Sequence, residues 1–335
     1  MFVALFFLSF AISCAMIKIA TRTGKMLDSA DKVQKMHFGK IPRGGGVGVF
    51  VAFCAGIALL VAFGKIEAKF LALIIPSSFI FISGILEDFN YALSPKIRLI
   101  LQTAGAISAI IIFPNCVIVD IGVELYYNLA IIFTLFCMVG VTNAMNIIDG
   151  FNGLAGGFAL LVLISIAIVS AIVGNVAVFY IALVLISVVL GFLVLNFPNA
   201  KIFLGDGGAY FMGFLLAFLL VILTQDSSNN IADKSVSAYY GLCVMIYPVF
   251  EVLFSIWRRK RRKLSAMSAD KLHLHTLIFK RVTHSSIKTS VLLWAINTPF
   301  IFTPIFFYDN ITILVALIVV FIAIYIFLYL KIIRF

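Results

Sequence analysis

The side chains best suited to chemistry are four acids, Glu87, Asp88, Asp149 and Asp206, each in a short polar segment between long apolar runs. Adjacent carboxylates such as Glu87 and Asp88 are expensive to place near a membrane, so they point to metal binding or acid–base work. A solvated loop with routine charges is the alternative. Asp206 stands in Gly205-Asp206-Gly207-Gly208, directly before an apolar run. It reads either as a helix N-cap or as a ligand of a hard cation such as Mg²⁺. That ion takes one or two carboxylates together with substrate phosphates. Asp149 lies in Asn143-Ala144-Met145-Asn146-Ile147-Ile148-Asp149-Gly150-Phe151-Asn152-Gly153, a stretch with three asparagines and no base. Amide side chains can read a nucleobase or a ribose by hydrogen bonds. Gly153 and Gly157 also form a GxxxG pair suited to close helix packing. That packing would explain the glycines but not Asn143, Asn146, Asp149 and Asn152 together.

Basic groups flank these acids. In Lys40-Ile41-Pro42-Arg43-Gly44-Gly45-Gly46, glycines allow a backbone to approach a bulky anion and the two cations can neutralise phosphate. A flexible entry to a helix, with positive anchors, is the other reading. Lys96 and Arg98 follow the acid pair, and Lys201 precedes Asp206. His273 and His275 could bind a metal or a diphosphate, or be ordinary loop residues. The run from Arg258 to Lys263 reads first as a topology anchor. Glu251 lies inside an apolar run with Pro248, and a buried acid there is a functional candidate.

The elements that must position these groups follow from composition. Of 335 residues, 63% are hydrophobic and 12% charged. Soluble domains are about half apolar and about a quarter charged, so a soluble enzyme, a disordered chain and a fibrous one are excluded. Apolar runs fall at 2–20, 46–63, 70–86, 97–113, 125–142, 154–173, 176–195, 209–224, 238–257, 288–307 and 311–330. These are too long for strands, and a backbone in lipid must bond to itself. The expectation is an all-α polytopic bundle of about 10–11 transmembrane helices, a single domain over 1–335 with its motifs between 40 and 276.

The first run has no base before it, and Lys18, Arg22 and Lys25 lie near its end. It therefore reads as a membrane helix rather than a cleaved signal. With eleven spans, 22 of the 25 Lys and Arg fall on one side, leaving Lys65, Lys69 and Lys234 on the other. The rich side is expected to be cytoplasmic, with the N-terminus outside and the C-terminus cytoplasmic. The net charge of +11 suggests orientation first and an anionic substrate second; nucleic acid is not expected. The five cysteines form no CxxC pair, so neither a disulfide framework nor a zinc site is suggested.

Taken together, the motifs resemble a known family. IPRGGG at 41–46, GILEDFNYALSPKIRLILQ at 84–102, NAMNIIDGFNGLAGG at 143–157, NFPNAKIFLGDGG at 196–208, YPVFEVLFSIWRR at 247–259 and SADKLHLH at 268–275 stand in family order. The chain is similar to the polyprenyl-phosphate N-acetylhexosamine-1-phosphate transferases of glycosyltransferase family 4, relatives of the phospho-N-acetylmuramoyl-pentapeptide transferase. The resemblance implies Mg²⁺-dependent transfer of a sugar-1-phosphate from a UDP-sugar to undecaprenyl or another polyprenyl phosphate, with release of UMP. Mn²⁺ could substitute. In bacteria this is the first membrane step of a surface polysaccharide, such as cell wall polymer or lipopolysaccharide O-antigen, at the cytoplasmic face of the inner membrane. Implied catalytic residues are Glu87, Asp88, Asp149 and Asp206, with Asp206 and Asp88 holding the metal. Implied substrate-binding residues are Lys40, Arg43, Lys96, Asn143, Asn146, Asn152, Lys201, His273 and His275. The implied partners are UDP-N-acetylhexosamine, polyprenyl phosphate and the bilayer; a homodimer is compatible. Glu87 stands where the family usually has Asp, Asn152 replaces a second acid, and Thr276 replaces a third His. A membrane carrier for a nucleotide sugar or a lipid-linked sugar is the alternative class. It would place its site near the midplane of two repeated halves, and no repeat is found.

Overall fold

The computed structural model describes residues 1–28, 41–91, 93–225, 235–263 and 272–334. Its architecture is all-helical apart from a two-residue antiparallel pair, β1 (Leu27–Asp28) with β2 (Ile41–Pro42). The helices are α1 (Phe2–Thr23), α2 (Gly45–Ala62), α3 (Ile74–Asp88), α4 (Pro95–Ile112), α5 (Tyr127–Ile148), α6 (Leu154–Val173) and α7 (Val176–Asn196). They continue as α8 (Gly205–Gln225), α9 (Ala238–Val244), α10 (Ile246–Arg261), the short α11 (Leu274–Ile278), α12 (Ser286–Phe302) and α13 (Ile311–Arg334). Among the described residues ten helices are long and apolar enough to cross a membrane. Helices α9 and α10, bent by 77° at their junction, meet the same length and hydropathy criterion only as a pair, and counted as one span they would make eleven. The expected all-α polytopic architecture is therefore found.

Local chemistry sets the helix ends. Ser94 accepts from Ile97 N (3.3 Å) and Pro95 opens α4, where its missing N–H is harmless. Asn175 accepts from Val178 N (3.1 Å) at the start of α7. Helix α8 is the axis of the bundle: 94% of its apolar window is buried inside the protein, against 22% for α1 and α13 at the edge. It reads as hydrophobic all round, as a central helix must.

Around α8 the helices cross closely. Gly84 of α3 lies against the Asp206–Gly207 peptide, so a methyl group there would strike backbone rather than a movable side chain. Gly46 of α2 approaches Gly208 in the same way. Gly84→Ala is therefore expected to destabilise the protein by about 1–3 kcal/mol, read as a lower thermal midpoint in detergent. An unchanged midpoint would show that α3 and α8 have room to separate.

Three expectations are corrected at this level. Asn143 and Asn146 are not loop residues: α5 continues through both to Ile148. Two of the glycines at 44–46 do not present free amides to an anion: Gly45 N donates to Phe203 O (3.0 Å) and Gly46 N to Leu204 O (2.8 Å). Gly153 and Gly157 pack against rings, those of Phe197 and Trp294, rather than backbone to backbone.

Candidate active site

The polar segments meet at one end of the bundle. Gly205 opens α8 at φ +80°, and a Cβ there would meet Arg43 O at 2.5 Å and Asp88 Oδ2 at 2.6 Å. Only glycine takes this conformation at no steric cost. The first amides of α8 then find their acceptors on another helix. Asp206 N donates to Asp88 Oδ1 (2.9 Å) and Gly207 N to Asp88 Oδ2 (3.0 Å). Asp88, 1% exposed, is thus the N-cap of α8, supplied by the end of α3. Its negative charge also suits the positive end of the helix dipole.

Asp206 is not the cap; it lies in the first turn of α8 with its side chain 27% exposed. Asn146 Nδ2 donates to its Oδ1 (3.0 Å), and Arg98 Nη1 lies 3.7 Å from Oδ2. Arg98 Nη1 also donates to Tyr210 Oη (3.4 Å), one turn along α8. One turn back on α5, Asn143 Nδ2 donates to Gln102 Oε1 (2.7 Å) and to Val139 O (2.8 Å). Two buried atoms of this cluster, Glu87 Oε2 and Gln102 Nε2, have no hydrogen-bond partner. Orphaned buried polar atoms are rare; a water would satisfy either one, and a bound cation only the Glu87 oxygen.

Asp149 follows the last residue of α5. Burial, and then the negative charge of Asp206, push its carboxyl up to about 7, while the Arg43 cation pulls it down. The turn it begins is clamped by one face of α12. Asn152 N donates to Ser286 Oγ (2.9 Å), Ser290 Oγ donates to Asn152 O (2.8 Å), and Trp294 Nε1 donates to Leu154 O (3.2 Å). The Asn152 side chain donates to Pro198 O (3.0 Å) and so ties this turn to the segment before α8. Its amide nitrogen thereby has a scaffold role.

The histidine segment closes over the same turn. His275 packs edge-on against Phe151, with centroids 5.8 Å apart, and a Cβ on Gly150 would lie 3.6 Å from its Nε2. Burial, and then His273, push His275 down to about 3, so it is neutral. His273 stacks on it at 5.3 Å and bonds through Nδ1 to Glu251 Oε1 (2.8 Å).

The structure thus gathers Arg43, Glu87, Asp88, Asn143, Asn146, Asp149, Asn152 and Asp206 on neighbouring elements, with His273 and His275 above the Asp149 turn. It leaves Lys96 and Lys201 exposed, with no contact to the acids. Lys40 lies outside the described residues. Arg98, Gln102 and Tyr210 were not among the expected site residues. Arg98 and Gln102 are i, i+4 on the buried face of α4 that continues through Gly105 and Ala109, while Lys96 is off that face. Asp206 and Tyr210 share the same spacing on α8.

Among the described residues no three His, Cys, Asp or Glu side chains gather closely enough to hold a metal alone. The donor set still fits Mg²⁺, which needs one or two carboxylates when substrate phosphates and water complete its shell. Asp206 is reachable from solvent, and Glu87 has an oxygen without a partner.

Comparison with known proteins gives the family. The family profile of glycosyl transferase family 4 matches residues 70–224. The Bacillus subtilis (strain 168) protein named "Probable undecaprenyl-phosphate N-acetylglucosaminyl 1-phosphate transferase" is 30% identical over 271 residues, 77% of this chain and 70% of the relative. The undecaprenyl-phosphate alpha-N-acetylglucosaminyl 1-phosphate transferase of Escherichia coli O157:H7 is 26% identical, over 81% of this chain and 74% of the relative. The decaprenyl-phosphate N-acetylglucosaminephosphotransferase of Mycolicibacterium smegmatis is 28% identical, over 77% and 70%. The matched region holds the α3–α4 acid and base pairs, the Asp149 turn and the start of α8, the elements that converge on Asp206. By motif order, site geometry and overall similarity, the chain belongs to glycosyl transferase family 4.

Proposed function

We propose that the chain transfers a sugar-1-phosphate from a UDP-sugar, a UDP-N-acetylhexosamine in this reading, to polyprenyl phosphate, releasing UMP. A phosphate oxygen of the lipid attacks the sugar-bearing phosphorus, and the bond to the UMP oxygen breaks. The products are UMP and a lipid-linked sugar diphosphate. Residues 1–335 form one transferase domain in this reading, with its site at the cytoplasmic face of a bacterial inner membrane. The one-sided distribution of Lys and Arg supports that orientation, and the relatives named for polyprenyl-phosphate acceptors support the substrate class.

The observation that carries the proposal is the convergence of Asp88, Arg98 and Asn146 on Asp206 at one end of the bundle. An apolar groove of about 480 Å³ runs between α5, α8 and the bent α9–α10 pair, lined by residues such as Met138, Val141, Ala144, Leu220 and Val249. Its wall includes Ala144, on the same turn of α5 as Asn146, whose amide holds Asp206. On α8 the lining begins at Ala217, about three turns from Asp206. An isoprenoid tail is the kind of group that this apolar lining would suit.

Each residue then has a role. Asp206, helped by Glu87, would hold Mg²⁺, which when bound offsets charge on the phosphates so that an anion can approach. Arg98 and Arg43 oppose the phosphate charges directly. Asn146 orients Asp206. Asp149, titrating near neutrality, suits taking a proton from the acceptor phosphate. Asp88, with both oxygens engaged by backbone amides, sets the first turn of α8 and with it the aim of Asp206.

The test is purified protein in detergent with polyprenyl phosphate and a panel of labelled UDP-sugars, following UMP and lipid-linked product. Product is expected with one or a few sugars, lost on chelation and restored by Mg²⁺. Folded protein that yields no product with any sugar would overturn the proposal and favour a carrier.

A further inference from the structure

Glu251 is fully buried on α10, yet it bonds to none of the acids of the cluster and the transfer reaction gives it no role. It receives donors from three sides. His273 Nδ1 lies 2.8 Å from Oε1, Leu274 N donates at 3.3 and 3.2 Å to the two oxygens, and Tyr325 Oη donates to Oε2 at 2.7 Å. Leu274 N and Tyr325 Oη are donors, and His273 Nδ1 is one in the tautomer that an acceptor-only partner selects. An ionised carboxylate accepts and cannot donate, so it satisfies all three, and it fixes the His273 proton on Nδ1. A glutamine would turn an N–H toward one of those donors. A buried acid at membrane depth is expensive, and fully satisfied polar networks are how such groups specify one arrangement.

The network links the last membrane helix to the site. Tyr325 belongs to α13, Glu251 to α10, and Tyr247, one turn before Glu251, bonds to His275 Nδ1 (3.2 Å). His275 in turn rests on Gly150 and Phe151, beside Asp149. The two parallel imidazoles are thus held from behind through their Nδ1 atoms, His273 by a carboxylate and His275 by a phenol.

We propose that Glu251, braced by Tyr325, is a positioning residue that locks the His273 ring so that only Nε2 is offered to the anionic diphosphate of the nucleotide-sugar donor. The inference rests on the transferase reading. It assigns the donor side of the reaction to His273, makes His275 a neutral support of the Asp149 turn, and gives α13 a part in donor binding.

The test is a double-mutant cycle, with the Michaelis constants for both substrates measured in the transferase assay. Glu251→Gln is expected to lower kcat/KM for the UDP-sugar about tenfold or more, with a smaller change in KM for polyprenyl phosphate. His273→Asn should do the same. The double variant should be no worse than the worse single one, because both remove one coupled interaction. Glu251→Asp should recover part of the loss, and Tyr325→Phe should give a smaller loss, about threefold, that disappears in the His273→Asn background. Multiplying effects, or a Glu251→Gln enzyme within twofold of wild type, would overturn the inference. If Glu251→Gln does not fold, the Tyr325→Phe cycle decides by the same criterion. Wild-type protein without transferase activity would instead sink the underlying function, so the two failures are distinguishable.

Discussion

Asp206→Ala is expected to abolish turnover, by a factor of about a thousand or more, while the thermal midpoint stays close to wild type. A thousandfold loss corresponds to about 4 kcal/mol of transition-state stabilisation, the scale of a group that helps an ion offset phosphate charge. The fold should survive for a stated reason. Asp206 contributes its backbone N–H to the Asp88 cap, and alanine keeps that N–H. Its side chain is 27% exposed and makes one hydrogen bond to Asn146 and a long contact to Arg98. Long, partly exposed ion pairs contribute little to stability. Initial rates of UMP release at saturating substrates, beside a thermal unfolding scan, read both halves of the statement. Near-wild-type turnover would remove Asp206 from the metal site; a collapsed midpoint would make it a structural residue.

Much of the scaffold was legible in the sequence because membrane helices are long enough for length alone to identify them. The limits of that reading are local and physical. Helix α5 runs beyond its apolar stretch because Asn143 and Asn146 are satisfied inside the bundle by Gln102 and Asp206 rather than by water. Hydropathy scores such asparagines as loop. The 77° break between α9 and α10 falls inside one continuous apolar run, and its only trace is Pro248 in the first turn of α10, a position that tolerates proline. The four acids were legible because charges are so scarce in this chain. Their division of labour was not, since Asp88 meets the amides of Asp206 and Gly207 across 118 and 119 positions. The preference for Lys96 over Arg98 had a remedy in the sequence itself. Helical spacing puts Arg98 with Gln102, Gly105 and Ala109, and leaves Lys96 turned away. Ser286, Ser290 and Trp294 repeat the lesson on α12: three residues at i, i+4, i+8 hold the Asp149 turn, and spacing shows the shared face without naming the partner.

Asp88 should behave unlike Asp206, and the contrast separates a cap from a reacting group. Asp88→Ala removes the acceptor for two amides at the start of the most buried helix. Hydrogen bonds to charged groups contribute about 1.5–3 kcal/mol each, and a buried amide left unpaired carries a desolvation cost of about 1–3 kcal/mol. Losses of several kcal/mol are a large share of the stability of a typical domain. Asp88→Ala is therefore expected to give little folded protein, and what folds should have a strongly lowered thermal midpoint. Asp88→Asn retains one carbonyl oxygen and can satisfy one of the two amides, so it should fold with an intermediate midpoint and a reduced rate. If Asp88 were the proton acceptor or a covalent nucleophile, Asp88→Asn would instead be inactive at full stability, matching the Asp206→Ala pattern. Yield after solubilisation, thermal midpoint and rate, measured for Asp88→Ala, Asp88→Asn and Asp206→Ala together, distinguish these outcomes. Parallel loss of midpoint and rate across the two Asp88 variants assigns the cap; loss of rate alone assigns the chemistry.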